Sequence, residues 1–211
     1  MVGCNLGVVA TGVRFFPAPV LNRQLFKIQS NMFFMLHPDI ILKKSSISGK
    51  GLFAKKNIPK ETILLISPKV RVYTISQYTA LSKKYKAILK KYAYEDDEGN
   101  LVYHIDNVKY WNHSCNPNAS YIGDFEITIR DIKTGEELTY DYGIIHPRWL
   151  PAMKCHCGTA ECRKLIKRES QNSPVVRRLH LLAKAAIKNA FKVKQPLICD
   201  KAFIRAIKEL Q

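Results

Sequence analysis

The sequence predicts a mainly β fold with some α, closed by a helical appendage at its C-terminus. Three observations predict it. Short runs of alternating apolar residues recur between Gly, Ser, Pro and Asn turns from residue 37 to residue 142. One segment, Ser76 to Tyr92, interrupts them with apolar residues spaced by three and four. From Arg163 onward the composition turns basic and helical, with 13 Lys or Arg against three Asp or Glu. Period two marks a strand with one covered face, and a three-and-four spacing marks one face of a helix. Many short strands around one helix imply a compact domain held by non-local pairings.

Taken in order, His37 to Lys43 reads as a strand with Ile40, Ile41 and Leu42 as its apolar run. Ser45 to Gly51 is a Ser/Gly turn, and Leu52 to Ala54 a short strand. Asn57-Ile58-Pro59-Lys60 turns the chain into a β-rich run from Thr62 to Ile66. The helix over Ser76 to Tyr92 places Tyr78, Leu81, Tyr85, Ile88, Leu89 and Tyr92 on one face. Lys83, Lys84, Lys86, Lys90 and Lys91 fill its solvated face. Asp96 to Asn100 is a hairpin turn before the alternating Leu101, Tyr103 and Ile105; Phe125, Ile127 and Ile129 alternate again. Lys133-Thr134-Gly135-Glu136 turns into a strand over Leu138 to Tyr142, which would set Tyr140 and Tyr142 on one face. Pro174 opens a helix with Leu179, Leu182, Ala183, Ala186, Ile187 and Ala190 in one stripe. Pro196 ends it, and Asp200 caps a last helix carrying Phe203, Ile204, Ile207 and Leu210.

A chain of 211 residues can bury one good core. Its charge is unusual: 34 basic against 17 acidic residues give +17, which calls for acidic partners, either nucleic acid, a nucleic-acid-coated protein or an anionic membrane face. No apolar run reaches the roughly 18 residues of a membrane-spanning helix, so no membrane partner is expected. Met1 to Val13 has no basic residue, unlike the start of a secretory signal. Residues 1–35 therefore read as an N-terminal extension, disordered or an overcalled start, with a targeting tail as the other reading.

The cysteines are Cys4, Cys115, Cys155, Cys157, Cys162 and Cys199. Three fall within eight residues as Cys-x-Cys-x4-Cys, too close for an easy disulfide and too sparse overall for a secreted scaffold. A thiolate zinc site in a reducing compartment fits better, and tetrahedral zinc needs a fourth soft ligand. Cys115 leads the candidates, with Cys4, Cys199 and His156 behind it.

Four ordered stretches carry a resemblance. They are Gly49-Lys50-Gly51-Leu52-Phe53-Ala54; Asn112-His113-Ser114-Cys115-Asn116-Pro117-Asn118; Glu137-Leu138-Thr139-Tyr140-Asp141-Tyr142-Gly143; and Cys155-His156-Cys157-Gly158 with Cys162. Together they resemble the SET-domain protein lysine methyltransferases with a post-SET zinc loop. The resemblance implies a β-clip fold of small sheets with a knot-like crossing. It divides the chain into a SET catalytic domain at 36–145, a post-SET zinc loop at 146–168 and a basic helical tail at 169–211. It implies S-adenosylmethionine as methyl donor, met by Lys50, Gly51, Leu52, Asn112, His113 and Tyr142. Tyr142 and Tyr140 would be the catalytic pair, and Cys115, Cys155, Cys157 and Cys162 the structural zinc ligands.

The implied chemistry asks mainly for alignment. The acceptor lysine must be neutral, and a narrow apolar channel beside a sulfonium lowers its pKa from about 10.4. A hydroxyl on Tyr140 would restrict room for a methylated amine and favour mono- or dimethylation. Two departures from the family pattern stand out: Lys109 where arginine is common, and Lys164 where glycine commonly follows Cys-Arg. No cysteine-rich segment precedes the domain, as in compact stand-alone members, bacterial ones included.

The expected substrate is a lysine-bearing basic protein, histone or histone-like, met on nucleic acid that attracts enzyme and substrate alike. The basic tail would contact phosphates with an affinity falling steeply with salt. The expected location is soluble, in a bacterial cytoplasm or, for a eukaryotic or host-delivered protein, a nucleus. The alternative is a non-catalytic SET-like module binding basic protein tails or nucleic acid.

Overall fold

The protein is seen in a computed structural model that describes residues 35–66, 70–96, 98–122 and 125–196. The expected leader, Cys4, Cys199 and the last helix at Asp200 lie outside the described residues.

Short strands dominate, in five small sheets. Strands β1 (Met35–Leu36), β2 (Ile40–Lys44), β3 (Lys50–Ala54), β4 (Ile63–Ile66) and β5 (Val70–Tyr73) precede helices α1 (Ile75–Ala80) and α2 (Lys83–Tyr92). Then come β6 (Ala93–Glu95), β7 (Leu101–His104), β8 (Asn112–His113), β9 (Ala119–Ile122), β10 (Phe125–Thr128) and β11 (Thr139–Tyr140). Strands β12 (Met153–Lys154) and β13 (Leu165–Ile166) and helix α3 (Pro174–Asn189) complete the described chain. The four-stranded sheet runs β1-β4-β10-β9 and a three-stranded one β5-β7-β6. Pairs β2-β3 and β12-β13 are hairpins, antiparallel like the larger sheets; β8 and β11 pair in parallel.

The expected single helix over Ser76 to Tyr92 is two helices. Leu81 is extended, and Ser82 caps a new start, its hydroxyl accepting from the Tyr85 N–H at 3.5 Å. Thr74 and Gln77 form a reciprocal capping box on the first helix. A Ser side chain offering the backbone an acceptor competes with helix continuation. Tyr85, placed by the spacing on the apolar face, is 57% exposed.

Helix α3 starts where the sequence puts it, with Ser173 as N-cap and Pro174 in the first turn. It is not an appendage. Leu179 joins the core of Leu52, Leu64, Ile132 and Leu138. Ala183, Ala186 and Ile187 pack on Ile63, Phe125 and Ile127. Burying Leu179 and Ile187 contributes about 1.5–3 kcal/mol each. The helix thus closes one face of β9 and β10, and the site lies on the other.

Candidate active site and thiol cluster

The parallel pair β8/β11 sets Asn112 opposite Thr139 and His113 opposite Tyr140. Asn118, fully buried, fastens the two motifs: its Nδ2 donates to the Glu137 carbonyl at 2.8 Å, and its Oδ1 accepts from the Thr139 N–H at 2.8 Å. Asn112 reaches the other way. Its Nδ2 donates toward the carbonyls of Ser48 (3.2 Å) and Lys50 (3.0 Å) and to Glu137 Oε1 (2.6 Å). Glu137 also accepts from the Ser45 hydroxyl at 2.8 Å. A Cβ on Gly51 would stand 2.0 Å from Glu137 Oε1, so any other residue here would displace that carboxylate from Asn112 and Ser45.

These elements wall a cavity of about 590 Å³. Ser48, Gly49, Lys50, Asn112 and His113 form one part of the lining, and Tyr94, Trp111, Tyr121, Tyr140 and Tyr142 an aromatic part. Gly51 and Leu52 are not on the lining; Leu52 is a core side chain, 1% exposed, whose carbonyl accepts from Leu138 at 2.7 Å. Trp149 is also off the lining, with its ring 5.2 Å from Tyr78.

The expected strand over Leu138 to Tyr142 stops at Tyr140. The Asp141 carboxylate accepts from the Gly143 N–H at 2.8 Å and caps a 3-10 turn over Tyr142–Ile144. Tyr142 therefore reaches the cavity from a turn, not from the strand face it was expected to share with Tyr140. Its hydroxyl donates to the Trp111 carbonyl at 2.7 Å. Burial, with Glu137 and Tyr92 adding to it, raises the Tyr142 pKa above that of an ordinary phenol. Burial does the same for Tyr140, with Glu126 next. Both phenols are neutral and can donate.

Beside Tyr142 the thiols converge. Cys115 Sγ lies 3.8 Å from Cys155 Sγ, and His113, Cys115, Cys155 and Cys157 offer ligand atoms all within 4.8 Å of one another. Cys162 packs against the same cluster and shares a thiol contact with Cys155. Exposed His156 takes no part in the group. His113 was read as a cofactor contact; its place against Cys115 was not anticipated. The Tyr142 N–H donates to His113 Nδ1 at 3.1 Å, which assigns the ring proton to Nε2, 3.3 Å from Cys115 Sγ. Burial holds the His113 pKa down at about 4, with Arg163 adding to it against Asp141, so the ring is neutral. His113 can then donate to Cys115 Sγ, and its ring is also among the groups that could hold a metal ion. The Arg163 N–H makes a second such bond to Cys115 at 3.3 Å.

Burial works against ionisation of Cys157, yet the Thr159 hydroxyl at 3.3 Å, backbone N–H groups and Cys155 outweigh it and bring the thiol to about 6. Cys155 is pushed the other way by burial. The donor set His113, Cys115, Cys155 and Cys157, with Cys162 packed beside it, could hold a metal ion such as zinc.

Residues 49–143 match the family model of the SET domain. Histone-lysine N-methyltransferase 2D of Homo sapiens is 30% identical over 146 residues, 60% of this chain and 2% of that protein. Histone-lysine N-methyltransferase trr of Drosophila melanogaster is 32% identical over 143 residues, 60% of this chain and 6% of that protein. The methyltransferase domain of human histone-lysine N-methyltransferase SETMAR superposes with a TM-score of 0.47 at 19% identity, covering 64% of this chain and 60% of that one. The chain spans only a few per cent of the curated relatives' length. It carries a SET domain, with the small antiparallel sheets and few helices of that fold. Among the described residues no helix is long and apolar enough to cross a membrane.

Proposed function

We propose that this SET-domain chain is a protein-lysine N-methyltransferase that uses S-adenosylmethionine on a lysine of a histone or histone-like protein. One observation carries the reading. The parallel β8/β11 pair brings Asn112, His113, Tyr140 and Tyr142 to one cavity of about 590 Å³, a size suited to a nucleoside-sized guest. S-adenosylmethionine would lie along Ser48, Gly49 and Lys50, with Gly51 and Leu52 contributing main chain behind them, and beside Asn112, His113 and Tyr142. It supplies a methyl group on a sulfonium.

The chain's own residues then do three things. Asn112 holds the 48–50 main chain in place through its two carbonyl contacts. Trp111, Tyr121 and Tyr140 exclude water from an approaching amine, which favours its neutral form. Tyr142, its ring held by the Trp111 carbonyl, fixes the angle of approach. The Tyr140 hydroxyl limits space beside the amine and favours mono- or dimethylation. Tyr140→Phe is expected to shift product peptides toward trimethyl-lysine in mass spectra.

A zinc ion held by Cys115, Cys155, Cys157 and Cys162 would pin the 146–168 loop beside Tyr142. The test is incubation with labelled S-adenosylmethionine and candidate basic proteins, followed by mass mapping of lysines. Label on lysine, lost in Tyr142→Phe with an unchanged melting temperature, supports the reading. No transfer to any basic protein by the zinc-loaded chain would sink it.

A further inference from the structure

Strand β10 is covered on both faces. Phe125 and Ile127 turn toward α3. Glu126 turns the other way, cross-strand from Tyr121. Tyr121 stacks on Tyr140 with centroids 5.9 Å apart at 21°, and Trp111 meets Tyr140 edge-on at 6.4 Å. All four residues line the same cavity as Tyr142. Glu126 is half-buried as a residue, but its Oε2 is enclosed and has no hydrogen-bond partner. Trp111 Nε1 and His104 Nδ1, on the same lining, are enclosed without partners too.

An enclosed carboxyl without a partner works against folding. Its surroundings name the guest that would relieve it. Aromatic faces attract a cation, and a carboxylate accepts its N–H groups. Lys50, Lys90, Lys91, Lys109, Lys154 and Arg168 put positive charge elsewhere on the lining, yet none reaches Glu126 Oε2.

We propose that Glu126 receives the target amine: its carboxylate binds the incoming lysine ammonium among Tyr121, Tyr140 and Trp111 and takes the proton that must leave before methyl transfer. This rests on the lysine methyl-transfer reading. In the step an N–H bond breaks, an O–H bond forms on Glu126, and the electron pair stays on nitrogen. A charged pair becomes a neutral pair, which suits an enclosed site. Burial raises the Glu126 carboxyl to about 8, well matched to a proton from an amine whose own pKa has been lowered. Tyr121 lies cross-strand from it and Tyr140 feels its charge, while Tyr94 and His104 of the three-stranded sheet line the same cavity. His180 of α3 contacts Tyr121 from its helix, and Leu65 is the partner on β4.

The test uses n-butylammonium, which copies the lysine side chain, against neutral n-butanol. Both are titrated by NMR at about pH 9, where Glu126 is ionised and the amine still charged, into the zinc-loaded full chain, wild type and Glu126→Gln. Butylammonium affinity should fall about tenfold or more in the variant while butanol affinity stays unchanged. Equal butylammonium affinity in the two proteins would overturn the proposal. The variant should melt no lower than wild type above about pH 8, where it loses an enclosed charge. Glu126-dependent cation binding in a wild-type protein that transfers no methyl would support the cation site and sink the methyl-transfer reading instead.

Discussion

Lys164 holds φ at +64°, in the left-handed region that a side chain disfavours. Its carbonyl accepts from the Cys155 N–H at 2.8 Å, so the conformation is tied to the thiol cluster. Glycine would hold the same turn without the Cβ penalty. Lys164→Gly is therefore expected to stabilise the protein by about 1 kcal/mol, read from chemical denaturation. Glu126 gives a second prediction, with its sign set by burial. Its carboxyl titrates near 8 when folded against 4.5 ordinarily. Below about 4.5 both states are protonated and nothing is lost. Between there and about 8 the unfolded chain releases a proton that the folded chain keeps, so stability falls as pH rises. Above 8 the loss is complete. The difference in urea midpoint between wild type and Glu126→Gln should move against wild type across that window. A flat difference would show that Glu126 ionises normally in the fold.

At the scale of elements, the 146–168 loop is held by few apolar contacts. Strands β12 and β13 are two residues each, and Ile166 is the main buried anchor near the sulfurs. A zinc ion on the cluster would order that loop, because a structural metal site supplies folding energy directly. Cys157→Ser should lower bound zinc from one equivalent to near zero and speed amide exchange at 153–166. Full zinc content in that variant would remove Cys157 from the ligand set. Much of this organisation was legible in residues. Pro174 marked α3, and Cys155 and Cys157 of Cys-x-Cys-x4-Cys come together with Cys115. What escaped did so for physical reasons. Ser82 looked like a helix-interior polar residue, although its hydroxyl starts a new helix. Nothing in the sequence singled out Glu126, because the alternation of Phe125 and Ile127 cannot show that the second face is covered by distant Tyr121 and Tyr140. His113 beside Cys115 follows from a parallel pairing that joins segments 27 residues apart.

At the scale of the molecule, a basic protein encloses a cavity with an aromatic wall that holds one enclosed carboxyl, Glu126. Arg177, Lys184 and Lys188 are exposed on α3 and add to a net charge of +17. On the proposed function, that charge would repel a basic substrate in free solution, whereas on nucleic acid both would be drawn to the same phosphates. Discrimination then falls to the cavity. Equilibrium binding of S-adenosylmethionine to the zinc-loaded chain, followed by calorimetry, tests the central claim most directly. The account predicts one molecule bound per chain, with binding kept and lysine methylation lost in Tyr142→Phe. A properly folded, zinc-loaded protein that takes up no S-adenosylmethionine would contradict it.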